Sequence, residues 1–255
     1  MTRNIDPTSF IVPNWCVPDG VHAVMTTRRS PFDFQVNASA RGAYGDFNLA
    51  THVGDDHAGV ERNRSLLCDA LKLPASPVWL EQVHSNHIVN ANCPNALNAK
   101  VDGSFSAEKN TVCAIMTADC LPVLLCTADG QQIAAVHAGW RGLASGIISN
   151  TIAALHTREV IVWLGAAIGP ACFEVGREVR DIFIQKSADY APAFEAQANE
   201  KWLADIYRLA RIELTQRGID NIYGGEFCTL RNAEQFYSYR RDGKTGRMAT
   251  LIWRT

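Results

Sequence analysis

Three side chains in this 255-residue chain combine donor chemistry with an apolar setting: His84 in VWLEQVHSNHIVN, Cys120 in TVCAIMTADCLPVLLC and His137 in QQIAAVHAGWRG. Two imidazoles and one thiolate make a three-donor set that holds zinc with a fourth position open, the arrangement of catalytic rather than structural zinc. The same set with an axial methionine serves blue copper. Between the first two donors lie 35 residues and between the last two 16, which fits no zinc-finger spacing. The case rests instead on position, because each donor stands at or near the end of an apolar run, where side chains from different strands converge. A buried thiol acting as a small hydrophobe, beside two hydrogen-bonded histidines, accounts for the same residues. Spacing alone leaves both readings open.

Polar groups inside such runs are costly unless paired or ligated, and further ones flank the donors. Asp119 precedes Cys120. It suits a carboxylate that orients a histidine or transfers a proton, or an ordinary turn aspartate. Successive strand residues face opposite ways, so Asp119 and Cys120 share a site only if the chain kinks, and Pro122 offers the means. Gly139-Trp140-Arg141-Gly142 opens a helix directly after His137. Free amides and the Arg141 cation there suit a phosphate, while close strand–helix packing with Trp140 in the core explains the motif as well. Cys172 and Cys228 have no sequence-adjacent base and read as structural rather than nucleophilic. Arg240 and Arg241, with Tyr237 and Tyr239, suit phosphate or purine, or a solvated hairpin with alternating faces.

The elements that must carry these groups follow from periodicity. Thr111 to Ala118, Leu121 to Cys126 and Ile133 to Val136 are apolar runs expected to be strands buried on both faces. Val21 to Thr27, Val78 to Asn90, Val160 to Leu164 and Asn221 to Gly225 read as further strands. On the second of these, His84 and His87 would point to opposite faces, so only one could enter a given site. Helices are expected after the acidic cap at Asp55-Asp56, over Leu143 to Leu155, over Glu178 to Lys186, and over Lys201 to Arg217 with a stripe of Trp202, Ile206, Leu209 and Ala210. Asp102-Gly103 reads as a turn. The tail FYSYRRDGKTGRMATLIW reads as a hairpin about Asp242-Gly243, and residues 28–50 as a long functional loop. Strands and helices mix without regular βαβ alternation. The expected class is therefore α+β, one domain over residues 1–255 with mixed sheets in a layered core flanked by helices.

Composition narrows the function. With 47% hydrophobic and 20% charged residues the chain can bury a sizeable core. A formal net charge of -2 without a Lys/Arg stripe argues against a nucleic-acid partner. No run approaches the ~20 apolar residues of a spanning helix, and the N-terminal segment has no signal-peptide pattern. The reading is a cytoplasmic protein with no membrane partner, expected to be a monomer, its eight cysteines mostly free thiols.

The motifs EQVHS, TADCLPVLL, AAVHAGWRG, AIGPACFEVG and FYSYRRDGKTGRMA resemble those of the YfiH-like, laccase-domain family, from about Val21 to the C-terminus. The resemblance implies metal ligands at His84, Cys120 and His137 and site-proximal roles for Arg28 of the TTR motif and Asn48 of the FNL motif. It implies zinc-dependent phosphorolysis of adenosine, inosine and methylthioadenosine, and deamination of adenosine. Arg141 and its neighbouring amides would hold phosphate, and Asp119 would shuttle a proton. Family members also edit peptidoglycan precursors, so hydrolytic removal of a misincorporated amino acid from a UDP-MurNAc precursor is the alternative. Copper-dependent polyphenol oxidation, which the family name suggests, fits less well. Seven histidines contain no His-x-His pair, and Met116, the nearest axial candidate, would lie roughly 13 Å from Cys120 along a straight strand. Where the family carries Gly-Gly after TTR, Arg29-Ser30-Pro31 stands here, and the loop Phe32 to Asp46 looks longer.

Overall fold

The most apolar segments become the most central strands. In the computed structural model, which describes residues 5–32 and 42–255, the strands are β1 (Phe10–Ile11), β2 (Val21–Thr26), β3 (Ile88–Asn90), β4 (Gly103–Ser106), β5 (Val112–Thr117), β6 (Leu121–Thr127), β7 (Ile133–Ala138), β8 (Val160–Leu164), β9 (Glu174–Gly176), β10 (Phe194–Ala196), β11 (Lys201–Ala204), β12 (Ile222–Gly224) and β13 (Met248–Arg254). The α-helices are α1 (His57–Leu71), α2 (Trp140–Ser145), α3 (Ile147–Ala154), α4 (Arg177–Lys186), α5 (Ile206–Gln216) and α6 (Tyr239–Asp242). A four-stranded sheet runs β1-β2-β13-β5, a six-stranded sheet β12-β8-β6-β7-β4-β3, and a small third sheet β10-β11-β9. Every residue of β5, β6, β7 and β13 is buried.

Alternation along each strand sorts the core into three layers. Ile115, Leu124, Ala135 and Ile252 fill the space between the two large sheets. Leu125, Ala134 and Val136 point the other way, onto α3, α4 and α5 through Ile148, Phe183 and Leu209. Ala114 and Leu251 meet Leu66 and Leu67 of α1 across the outer face of the four-stranded sheet. The architecture is helix, sheet, sheet, helix, of the α+β class expected. Because both faces of each large sheet are covered, its strands read as unbroken apolar runs rather than as alternating ones.

Five expectations are corrected. Residues 79–87 are not strand: after a single bridge from Val78 to Cys113, regular pairing resumes only at Ile88. The amides of Val83, His84 and Ser85 donate to the Asp102 carboxylate instead of to a neighbouring strand. Asp102-Gly103 is accordingly no turn; Asp102 is fully buried and Gly103 opens β4. There a Cβ would stand 2.4 Å from Val136 Cγ1. The segment expected as one helix from Leu143 is split by Gly146, at φ 88°, into α2 and α3. Lys201 to Ala204 pair as β11, and the helix starts only at Ile206, where the Asp205 side chain accepts from the Arg208 amide. Trp202 is thus a strand residue whose spacing mimics a helical stripe. The tail is no hairpin either. Ser238 caps the single turn α6, and β13 pairs with the distant β2 and β5.

The acidic cap of α1 is Asp56, which accepts from the Gly59 amide at 2.8 Å. Residues 33–41, the greater part of the long loop, lie outside the described residues. No helix among the described residues is long and apolar enough to cross a membrane.

Candidate metal centre and its cavity

Three loops and strands deliver one donor each to the edge of the six-stranded sheet. His137 is the penultimate residue of β7, and Cys120 immediately precedes β6, its antiparallel neighbour. His84 comes from the irregular 79–87 segment, where it takes a left-handed φ of 61°. The ligand atoms of His84, Cys120 and His137 all lie within 4.8 Å of one another, and the two imidazoles meet edge to face with centroids 4.8 Å apart. Donors on a tetrahedral zinc stand about 3.5 Å apart, so a contraction on the order of 1 Å brings all three onto one ion. Gly139 makes room for them. A Cβ there would stand 3.0 Å from Cys120 Sγ and 3.5 Å from His84 Cδ2.

Asp102 organises this cluster. Its carboxylate accepts from the His84 and Ser85 amides, from Ser85 Oγ at 2.8 Å, and from His137 Nδ1 at 2.7 Å. With Nδ1 engaged, His137 is left with Nε2 for the centre, the usual carboxylate–histidine–metal relation. Burial pushes the Asp102 carboxyl up, but the bonds from His137 and Ser85 outweigh it and hold the group down to about 2. Burial likewise raises the Cys120 thiol, yet the charge and hydrogen bonds of His137 and His84 bring it to about 6. His137, pushed down by burial, is lifted to about 9 by Cys120 and Asp102. The two groups thus each favour the charged form of the other, a thiolate beside an imidazolium. Such a donor set suits a thiophilic divalent ion such as zinc, and it is also the donor set of copper sites.

The donors open onto a cavity of about 430 Å³. Trp140, Ile168, Phe173, Ile206, Tyr239 and Met116 give it apolar and aromatic walls, and Arg141, Arg240 and Arg247 give it three cations. None of the three guanidiniums pairs with a described carboxylate. Arg247 is half-buried, and burial pushes it below the ordinary arginine value even with Cys120 and Asp119 nearby.

The residues singled out in the sequence are placed as follows. Asp119 lines the cavity, at φ 90°. The chain thus kinks at Asp119 itself, while Pro122 sits within β6 opposite His137. Met116 lines the same cavity as Cys120. Asp119 does not hold a histidine. Its oxygens accept from Thr229 Oγ1 at 2.6 Å and from the Arg240 amide at 2.7 Å, and the carboxylate on the ring is that of Asp102. Arg141 lines the cavity and stacks on Trp140 with its guanidinium carbon 4.3 Å from the ring centroid. Arg28 is not among the lining residues; it donates to the Ala233 carbonyl and lies over the Tyr237 ring. Asn48 is buried and reaches the cavity through a neighbour, accepting from the amide of Arg247 at 2.9 Å. Of the pair Arg240-Arg241, Arg240 faces the cavity, whereas Arg241 donates to the Thr229, Leu230 and Phe236 carbonyls. His87 remains outside it.

Sequence reasoning passed over Asp102, His52 and Arg247. His52 lines the cavity, with burial first and the Arg247 charge second pushing its pKa down. The one signal for Asp102 was an acidic residue directly ahead of a strand, which a turn explains as readily. Arg247 lay within the quoted motif TGRMA, unremarked because the hairpin reading set it in solvent.

A helix–sheet–sheet–helix core with a two-histidine, one-cysteine donor cluster at the end of its larger sheet is a fold with a candidate metal centre, and its family can be stated. Residues 23–255 match the family described as multi-copper polyphenol oxidoreductase laccase, and the chain belongs to that family. It is 45% identical over 248 residues to a Shigella flexneri protein named purine nucleoside phosphorylase YfiH, covering 96% of this chain and 99% of that one. It is 45% identical over 253 residues to the Pseudomonas aeruginosa purine nucleoside phosphorylase PA4543, covering 96% and 98%. Among solved structures, Neisseria meningitidis protein NMB0706 superposes with a TM-score of 0.89 at 44% identity, over 96% of this chain and 99% of that one.

Proposed function

We propose that the chain is a zinc-dependent purine nucleoside phosphorylase, acting on adenosine, inosine and methylthioadenosine to release the base and the corresponding ribose 1-phosphate. The observation that carries this reading is one cavity in which the donor cluster, three cations with no carboxylate partner among the described residues and a set of aromatic walls face one another. The names borne by the relatives support it. Bound zinc would supply Lewis-acid polarisation of an oxygen. The chain's own residues do the rest. Trp140, Phe173 and Tyr239 offer faces for a purine. Arg247, Arg240 and Arg141 suit the charges and planar oxygens of phosphate. Asp102 fixes the His137 ring, Asn48 and Asp119 fix the backbone of Arg247 and Arg240, and His52, which also lines the cavity, offers an imidazole that can accept or return a proton. Adenosine deamination in the same cavity is the accompanying activity.

A volume of about 430 Å³ lies in the ordinary range of small-ligand sites, ~300–1,000 Å³, which favours a nucleoside with phosphate over a UDP-MurNAc precursor. The described residues hold one three-donor group rather than several, which favours a mononuclear zinc site over a multi-copper oxidase centre.

The test is to determine the metal of the purified protein by elemental analysis and to incubate it with adenosine, with and without phosphate. Stoichiometric zinc and phosphate-dependent appearance of adenine and ribose 1-phosphate is the expected result. Zinc without turnover of any purine nucleoside overturns the substrate assignment, and stoichiometric copper with oxidation of phenols overturns the reaction. Arg141→Ala is expected to raise the phosphate concentration needed for half-maximal rate about tenfold, the loss of one charge-assisted contact, while leaving zinc content unchanged. An unaltered phosphate dependence counts against Arg141 in the anion site.

A further inference from the structure

Away from the metal centre, a second cavity of about 330 Å³ brings together two thiols, Cys172 and Cys228, with Gly169, Tyr207, Phe227 and Arg231. Neither thiol belongs to the donor cluster, and both are partly accessible. The backbone is built around Cys228. The Gly169 amide donates to its sulfur at 3.2 Å. A Cβ on Gly169 would stand 3.0 Å from Cys228 Cβ and 3.1 Å from Sγ, so a glycine is what lets that amide approach. Cys172 lines the same cavity at the end of a turn in which its amide donates to the Gly169 carbonyl at 3.0 Å. Burial and the neighbouring Cys228 sulfur raise the Cys172 thiol, with Arg231 of the same loop opposing them, which suits a protonated resolving thiol.

From this geometry we infer that Cys228 and Cys172 form a hydroperoxide-reactive dithiol site, Cys228 being the attacking sulfur and Cys172 the resolving one.

The electrostatics agree. Burial raises the Cys228 thiol, but the amides of Arg231, Gly169 and Leu230 and the Cys172 thiol outweigh it and lower the group below its ordinary value. Sulfurs so placed react as thiolates. The interior thiols Cys113 and Cys126, which burial pushes up to about 12, do not. In the reaction, the Cys228 thiolate attacks a peroxide oxygen; the O–O bond breaks, an S–O bond forms, and the departing hydroxide takes up the proton that Cys228 had released. Cys172 sulfur then attacks the sulfenic sulfur; the S–S bond forms, the S–O bond breaks, and the hydroxyl leaves as water with the Cys172 proton. The two thiols together lose two electrons, and hydrogen peroxide is reduced to two waters.

The inference stands independently of the reaction proposed for the metal cavity, and so does its test. Full-length, metal-loaded protein is treated with hydrogen peroxide at neutral pH, quenched at intervals and mapped by non-reducing peptide mass spectrometry. The exposed thiols Cys16 and Cys93 serve as references within the same molecule. The expected result is a Cys172–Cys228 disulfide forming about tenfold or more faster than either reference thiol is oxidised, and reversed by dithiothreitol. In Cys172→Ser a dimedone-reactive sulfenic acid accumulates at Cys228, and in Cys228→Ser neither product forms. The inference is overturned if the pair stays reduced while Cys16 and Cys93 oxidise, if it reacts no faster than they do, or if dimedone labels Cys172 rather than Cys228. The wild-type time course decides the matter even where a variant does not fold.

Discussion

Asp102 accepts five hydrogen bonds, from the amides of Val83, His84 and Ser85, from Ser85 Oγ and from His137 Nδ1. One side chain thereby sets the backbone that carries one donor and the ring orientation of another. At this scale the expected consequences are separable. His84→Ala, Cys120→Ala and His137→Ala should each remove most of the bound metal and most activity, as read by elemental analysis and turnover; full metal content in any one shows that its side chain is not a ligand. Asp102→Asn should retain the three donors but weaken metal affinity about 10–100-fold, measured by competition with a chromophoric chelator. Unchanged affinity would show that the ring is oriented without the carboxylate. The donors were legible in the sequence because a polar residue at the end of an apolar run has to be accounted for. Asp102 was not, because a buried carboxylate that organises a loop and one that begins a turn look alike until the loop's amides are traced.

Elements here are placed by single polar side chains as much as by periodicity. Asn48, itself buried, accepts from the amides of Ala50 and Arg247 and donates to the Ala50 carbonyl and the Asp55 carboxylate. Asn48→Ala leaves buried groups unpaired and should cost about 1–3 kcal/mol, seen as a lower urea midpoint. It should also raise the phosphate requirement, because the entry to β13 that carries Arg247 loses its tether. A shifted midpoint with unaltered phosphate dependence would separate the stabilising role from the site. The central strands, the cap of α1 and the stripe of α5 could be read from residue type and spacing. Lys201 to Ala204 and residues 79–87 could not. The first is drawn into a sheet by β9 and β10, and the second is held as an irregular loop by Asp102. Both are tertiary decisions that override a local pattern.

For the whole molecule, metal and fold are linked, since an ion held only by the folded chain stabilises it by mass action. At a free ion concentration a thousandfold above Kd the gain is about 4 kcal/mol, so a chelator should lower Tm on the order of 10 °C for a chain of this size. Scanning calorimetry with and without chelator checks it, and a Tm indifferent to chelation would mean that the donor cluster binds no ion in the native state. The layered α+β class could be anticipated from the unbroken apolar runs, whereas the partnership of β13 with β2 and β5 could not, because no local signal announces so distant a pairing. That pairing bears on how the protein is made. His84, Asp102, Cys120 and His137 all leave the ribosome well before Arg240 and Arg247, and β13 is the strand that the four-stranded sheet must wait for. The three donors and Arg141 are thus present in the nascent chain while Arg240 and Arg247, the other two cations of the cavity, are not, so the order of synthesis allows a metal to be loaded before the anion site is complete.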